Sequence, residues 1–488
     1  MNEMIYQLKP ERLWHYFGEV LKIPRPSKKE EKIIEYLIAF GRSHNLETLK
    51  DKVGNVVIRK AASPGFENAP WACLQGHVDM VCEKDADVVH DFDKDPIQAY
   101  VDNGWLKARG TTLGADNGIA VATMLALLEA KDLEHGPLEC LFTVDEETGL
   151  TGAFGLDPKL LKSRILLNLD SEDDGEFFIG CAGGKDTVIE LNCPKEAVPA
   201  GYKTLRVKVS GLQGGHSGDD IHRNRGNANK ILNRFLWESA LKYGIRLSSF
   251  DGGNLRNAIA REAIGIFLAP AGQVDSIMAD VNSYMQHIRF EFRVSEPDLK
   301  IEIEEFEEPG FVIEKTTQDH LLNAVYACPH GVMAWSQDIP NFVETSTNLA
   351  SVKMQNGKIR IATSQRSSIE SAKEDICQMV ASVFGMIPGA QINHSDGYPG
   401  WAPNPHSRIL EICEQSYKDL FGQEPVVRAI HAGLECGLIG DKYPGMDMIS
   451  YGPTMRGVHS PSERLEIGTV DKFWVLTLDL LKKIAKPD

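Results

Sequence analysis

At 488 residues the chain is several times an ordinary domain, and 42% hydrophobic with 25% charged residues fits a globular protein rather than a disordered one. No apolar run reaches the roughly 18 residues that a membrane-crossing helix needs. Lys+Arg 52 against Asp+Glu 69 leaves a net charge of −17, which argues against a general nucleic-acid or anionic-membrane binder. The nine cysteines are scattered without a C-x-x-C spacing, and the opening MNEMIYQLKP lacks the basic-then-apolar pattern of a secretory leader. Reduced thiols in a soluble, cytoplasmic protein are therefore expected.

Along the chain, apolar spacing predicts helices over 11–21 and 29–43, a strand over 54–60, a turn-rich stretch over 61–70 and a buried strand over 71–75. A strongly apolar helix over 118–130 follows, then buried strands over 138–144 and 165–169. Buried strands alternating with helices indicate an α/β sheet with helices on its faces. After about residue 186 the pattern changes to α+β. Residues 205–210 alternate as a half-solvated strand, 227–243 and 274–286 read as helices, and 264–268 and 299–306 as further strands. From residue 404 the α/β pattern returns, with helices over 407–421 and 470–484 and a strand near 448–450. The expected organisation is a discontinuous catalytic domain, residues 1–186 and 394–488, interrupted by an α+β domain over 187–393.

Acidic and imidazole groups recur where these strands end. His77 and Asp79, two residues apart in an extended segment, share one face, as a metal-binding histidine and the carboxylate that orients it would. Asp116 lies in the Gly-rich turn GTTLGADNG, where it can cap the following helix or bridge two cations. Glu146 and Glu147 close one strand; their side chains diverge, so one can hold a metal while the other serves as a base. Asp170 closes the next strand, and His459 lies in a loop after the strand near 449. Each of these has an ordinary surface or capping explanation in isolation. Their recurrence at the carboxyl ends of consecutive strands, where open α/β sheets place their sites, points instead to a catalytic divalent-metal centre. Other signatures fail: GCAGGKD at 180–186 lacks Walker A spacing, GHSGD at 215–219 is one Gly short of a nucleophile elbow, and H-E-x-x-H is absent.

The order His77-x-Asp79, Gly114-Ala115-Asp116-Asn117-Gly118, Glu146-Glu147-x-Gly149, Asp170 and His459 resembles the dinuclear zinc peptidases of the aminoacylase/carboxypeptidase G2 clan, the M20 family. Within it the chain is most similar to the bacterial aminoacyl-histidine dipeptidases, through VHDFDKDP (89–96), KARGTTLGADNG (107–118), GCAGG (180–184), GGHSG (214–218), LRNAI (255–259), HAGLECG (431–437) and GVHSP (457–461). One departure is Ala260, where the family pattern expects Pro.

The resemblance implies a zinc-peptidase-like mixed sheet sandwiched by helices, with the inserted domain acting as a lid. It implies two Zn2+ ions (Mn2+ or Co2+ as substitutes), one held by His77, Asp116 and Asp170, the other by Asp116, Glu147 and His459. Asp79 would orient His77, Glu146 would be the general base and later the acid, and the Asp116–Asn117 peptide would be cis. In the lid, His216 would meet the developing oxyanion and Arg366 the substrate carboxylate, with Asn257 assisting; Glu435 would meet the substrate ammonium. The implied activity is hydrolysis of Xaa-His dipeptides, β-alanyl-histidine included. The alternatives are an N-acyl-amino-acid amidohydrolase of the same clan and a non-catalytic metal-binding paralogue. The expected partner is a small dipeptide, with no nucleic acid and no membrane; the resemblance admits a homodimer, with His216 acting within one chain or across its interface.

Overall fold

The computed structural model describes residues 4–355 and 357–486. Two compact units form: Met1–Gly180 with Pro403–Ala429 and Leu434–Asp488, and Cys181–Ala402 with Ile430–Gly433. Among the described residues no helix is long and apolar enough to cross a membrane.

The first unit is built on an eight-stranded mixed sheet, in the order Glu47–Lys50, Val56–Lys60, Leu138–Thr143, Ala72–His77, Ile165–Asn168, Asp447–Ser450, Glu176–Cys181, Val426–Ile430. The four central strands, Leu138–Thr143 through Asp447–Ser450, run parallel. They are almost wholly buried, which is why their sequences read as continuous apolar runs rather than alternations. One charge interrupts that core. Glu139 is fully buried, yet its carboxylate accepts from Arg59 Nε (2.9 Å), the backbone N–H of Ser163 (2.9 Å) and Ser163 Oγ (2.6 Å). A buried ion is tolerated when its lone pairs are occupied in this way.

Helix Ala115–Glu129 packs on strand Ala72–His77 and on helix Glu11–Val20. It is apolar all round, and every residue from Asn117 to Leu128 is buried, as an enclosed helix requires. Its first turn departs from helical geometry at Asp116 and Asn117, joined by a cis peptide as the resemblance implied. That departure explains why apolar spacing placed the start at 118.

The second unit holds a nine-stranded sheet whose main path runs Lys300–Glu305, Tyr202–Ser210, Ala263–Pro270, Arg246–Gly253, Val343–Gln355, Lys358–Ser367, Gly183–Asn192, Gln391–His394, with Gly331–Trp335 also pairing Val343–Gln355. Every pairing in it is antiparallel. Strand Tyr202–Ser210 alternates buried and partly exposed residues, matching its sequence pattern. Helix Ala228–Tyr243 starts at Asn227, whose side chain accepts from the N–H groups of residues 229 and 230. The core joins Leu205, Val207, Phe235, Phe267, Ile361 and Phe384.

Strand Val343–Gln355 has no apolar alternation because it is paired through a buried polar ladder. Thr345 Oγ1 meets Ser367 Oγ at 2.9 Å, and Gln365 Nε2 donates to Thr347 Oγ1 at 3.1 Å and its Oε1 accepts from Thr187 at 2.8 Å. His431 belongs to this unit and is buried, with Nε2 2.7 Å from Ser346 Oγ. Burial first, and then the charge of Arg366, push its pKa down to about 3.

Two stability predictions follow from this packing. Strand and helix approach so closely at Gly76 that an added Cβ would strike Asn117 Oδ1 and come within 2.6 Å of Ala120 Cβ. Gly76→Ala should therefore lower the free energy of unfolding by about 1–3 kcal/mol, read from the urea midpoint. His431 takes up its proton near pH 6.5 when unfolded but only near pH 3 when folded. As pH falls from about 6.5, unfolding gains a proton that folding excludes, and stability is lost at up to about 1.4 kcal/mol per pH unit. Wild type should lose more stability than His431→Gln between pH 6.5 and 4, measured as the difference between their urea-unfolding series.

Candidate metal centre

The carboxyl ends of the parallel strands bring the predicted residues of the first unit together. His77 ends its strand, Glu146 and Glu147 follow Leu138–Thr143, Asp170 follows Ile165–Asn168, and His459 lies beyond Asp447–Ser450. His77 Nε2 is 3.0 Å from Asp116 Oδ1 and 3.5 Å from Asp170 Oδ1. His459 Nε2 is 3.1 Å from Asp116 Oδ2 and 3.0 Å from Glu147 Oε2. Asp116 thus offers one oxygen to each histidine.

Asp79 sits behind His77, fully buried, with Oδ1 3.2 Å from His77 Nδ1. It also accepts from Ser27 Oγ (2.8 Å) and from the N–H groups of Glu146 (3.1 Å) and Glu147 (3.2 Å). One carboxylate therefore contacts the imidazole and the backbone of both paired glutamates.

The electrostatics reflect many acids held out of water. Burial pushes Asp170 up to about 6 and raises Glu146 well above the carboxylate range. Burial would raise Asp116 too, but its bonds to His459 and His77 hold it below its ordinary value. His459 rises to about 11 through its bonds to Asp116 and Glu147. Burial opposes charge on His77, yet Asp170, Asp116 and Asp79 outweigh it and lift its pKa.

This donor set fits divalent cations. With Nδ1–H given to Asp79, His77 turns its Nε2 lone pair toward two carboxylates, and only a proton or a metal ion can sit between them favourably. Donor atoms of His77, Asp116 and Asp170 lie within 4.8 Å of one another, as do those of Asp116, Glu147 and His459. A third grouping, His77, Glu146 and Glu147, meets the same limit. Glu147 Oε1 is buried without a hydrogen-bond partner among the described residues, as suits a ligand oxygen.

Glu435 lies deep in the first unit. Its Oε2 accepts from Gln75 Nε2 (2.5 Å) and Thr143 Oγ1 (2.7 Å), its Oε1 has no partner among the described residues, and burial raises its pKa to about 7. The second unit carries His216, Asn257 and Arg366. His216 Nδ1 lies 3.3 Å and 3.2 Å from the N–H groups of Gly218 and Asp219 and 3.3 Å from Asp219 Oδ2. Asn257 is exposed, and its carbonyl accepts from the N–H of Ser217 at 2.8 Å. Arg366 is buried, donates to Tyr398 Oη at 3.0 Å and has an Nε without a partner among the described residues.

Four neighbours escaped the sequence reading. Ser27 and Arg25 lie in an irregular segment with no periodicity. Glu172, pushed up to about 7 by burial and by Asp116 and Asp170, belongs to an acidic run that reads as surface. Glu463 follows His459 by four residues, a spacing that could have drawn attention to it.

Residues 73–483 match the profile of Peptidase family M20/M25/M40. The chain is 43% identical to the cytosol non-specific dipeptidase of Escherichia coli over 98% of each protein. It is also 43% identical to the aminoacylhistidine dipeptidase of Vibrio alginolyticus, whose crystal structure matches with a TM-score of 0.95 over 100% of both chains. The aminopeptidase PepT of Bacillus cereus shares the fold, with a TM-score of 0.58 at 16% identity over 98% of this chain and 100% of the other. Fold, site geometry and profile agree that the chain belongs to peptidase family M20/M25/M40.

Proposed function

We propose that the protein is a cytoplasmic dipeptidase that uses two zinc ions, with Mn2+ or Co2+ as substitutes, to hydrolyse Xaa-His dipeptides, including β-alanyl-histidine. The observation that carries this reading is the division of the Asp116 carboxylate between His77 and His459. The similarity to two dipeptidases supports the substrate class. His77, Asp116 and Asp170 would hold one cation, and Asp116, Glu147 and His459 the other. When bound, the cations would supply Lewis acidity, lowering the pKa of water and polarising a carbonyl.

The protein's own groups do the rest. Glu146 accepts the proton of the attacking water and returns it to the leaving amine. Asp79 keeps the ring proton of His77 on Nδ1, so that Nε2 faces the ligand position. From the second unit, taken as the lid, Arg366 receives the substrate carboxylate; its unpartnered Nε supports this role. His216 serves the developing oxyanion, with Asn257 assisting. The unpartnered Oε1 of Glu435 is the acceptor offered to the substrate ammonium. Sedimentation tests the homodimer.

Hydrolysis of β-alanyl-histidine and of its N-acetyl derivative tests this reading. Zinc-loaded wild type should cleave the free dipeptide and spare the blocked one, and chelation should abolish the activity. Glu146→Gln should lower kcat by about 10²–10⁴-fold at unchanged metal content and with KM moved little. Cleavage of the blocked substrate instead would make the protein an amidohydrolase, and zinc uptake without either cleavage would make it a non-catalytic binder. Arg366→Lys, which keeps the charge but loses the fork, should raise KM for the dipeptide about tenfold or more; an unchanged KM removes Arg366 from the carboxylate site.

A further inference from the structure

The Gly-rich turn that carries Asp116 closes around a buried carboxylate from far along the chain. Glu463 Oε2 accepts from the N–H groups of Leu113 (2.7 Å) and Gly114 (2.9 Å), and Oε1 from those of Ala115 (2.8 Å) and Asp116 (3.3 Å). Four successive amides aimed at one point form an anion cradle of the kind that usually receives a phosphate or carboxylate ligand, here filled by a side chain. Glu463 is 2% exposed. On its other side the turn is gripped by Arg25, 1% exposed, which donates to the carbonyls of Val78 (2.9 Å), Asp79 (2.8 Å) and Gly114. A Cβ at Gly114 would run into the Arg25 guanidinium, so this position has to be glycine, which also suits its φ of +69°.

Glu463 stands four residues after His459, and the two reach Asp116 together: His459 Nε2 lies 3.1 Å from its carboxylate while Glu463 holds its backbone N–H. We infer that Glu463 is a positioning residue that sets the Asp116 carboxylate midway between the two cation positions and ties the His459 loop to the same turn. Arg25 completes the clamp by joining the turn to the segment just after His77. Both Glu463 oxygens are taken up by backbone amides of residues 113–116, so its effect passes through Asp116 and His459. This inference rests on the dinuclear reading.

The test titrates metal-depleted wild type, E463Q, E463D and E139Q with Co2+, reading calorimetric affinity and stoichiometry together with the visible cobalt spectrum. E463Q replaces an acceptor of two amides with a donor; E463D keeps the charge but draws it back by one methylene. E139Q removes an equally buried carboxylate from elsewhere in the same unit and controls for general destabilisation. E463Q should bind at least one equivalent tenfold or more weakly and with an altered spectrum, E463D should fall between it and wild type, and E139Q should bind as wild type does. At saturating metal, KM for the dipeptide should stay at the wild-type value in E463Q. Wild-type affinity and spectrum in folded E463Q overturn the inference, as does an equal loss in E139Q. If E463Q does not fold, E463D decides by the same criterion. The wild-type titration judges the dinuclear reading separately. Uptake of a single equivalent defeats that reading while the variant-to-wild-type ratio still decides the role of Glu463, and uptake of none defeats both.

Discussion

The constraint on which the rest depends is the concentration of like charge around Asp116. Asp116, Glu147 and Asp170 converge on two imidazoles in a site largely withdrawn from water, with Glu146 beside them. Carboxylates so placed repel one another, and their attraction to cations is strengthened by the same loss of solvent. The surrounding fold therefore has to hold them rigidly. Asp79 does so through two backbone amides and an imidazole, and Glu463 through four amides of the facing turn.

Parallel strands are suited to this work because their carboxyl ends deliver side chains from distant parts of the sequence to one edge. Strand Ala72–His77 lies between Leu138–Thr143 and Ile165–Asn168, so His77, the Glu146–Glu147 pair and Asp170 become neighbours through sheet pairing alone. Asp116 enters from the side, on the first turn of an apolar helix whose approach to the sheet is permitted by Gly76. The second unit uses the opposite strategy, an antiparallel sheet stabilised partly by hydroxyl and amide ladders, and it carries a buried, neutral His431 among them.

Legibility followed physical range. Helix Ala115–Glu129, strand Tyr202–Ser210 and helix Arg408–Phe421 were readable because apolar periodicity and capping are local properties. Strand Val343–Gln355 was not, because buried threonines such as Thr345 and Thr347 are satisfied across the sheet by partners that periodicity does not reveal. The ligand candidates could be named from strand-end placement together with a family resemblance. Arg25 could not, and Glu463 only by its spacing from His459, since a buried charge and a surface charge look alike until their partners are known. Glu435 shows the same limit: its type suggested an ammonium partner, while its depth and its bonds to Gln75 and Thr143 emerged only on folding.

The sequence by itself determined the α/β class of the fold through hydropathy periods, the chemistry of the donor set through residue types at strand ends, and the M20 resemblance through its motifs, because all three are written along the chain. The tertiary structure decided how the donors are shared: which oxygen of Asp116 faces which histidine, which oxygen of Glu147 is left unpartnered, and that Glu463 rather than a ligand fills the cradle of the 113–116 turn. These are matters of ångströms between groups up to 350 residues apart, and close packing settles such distances only once the whole unit is assembled.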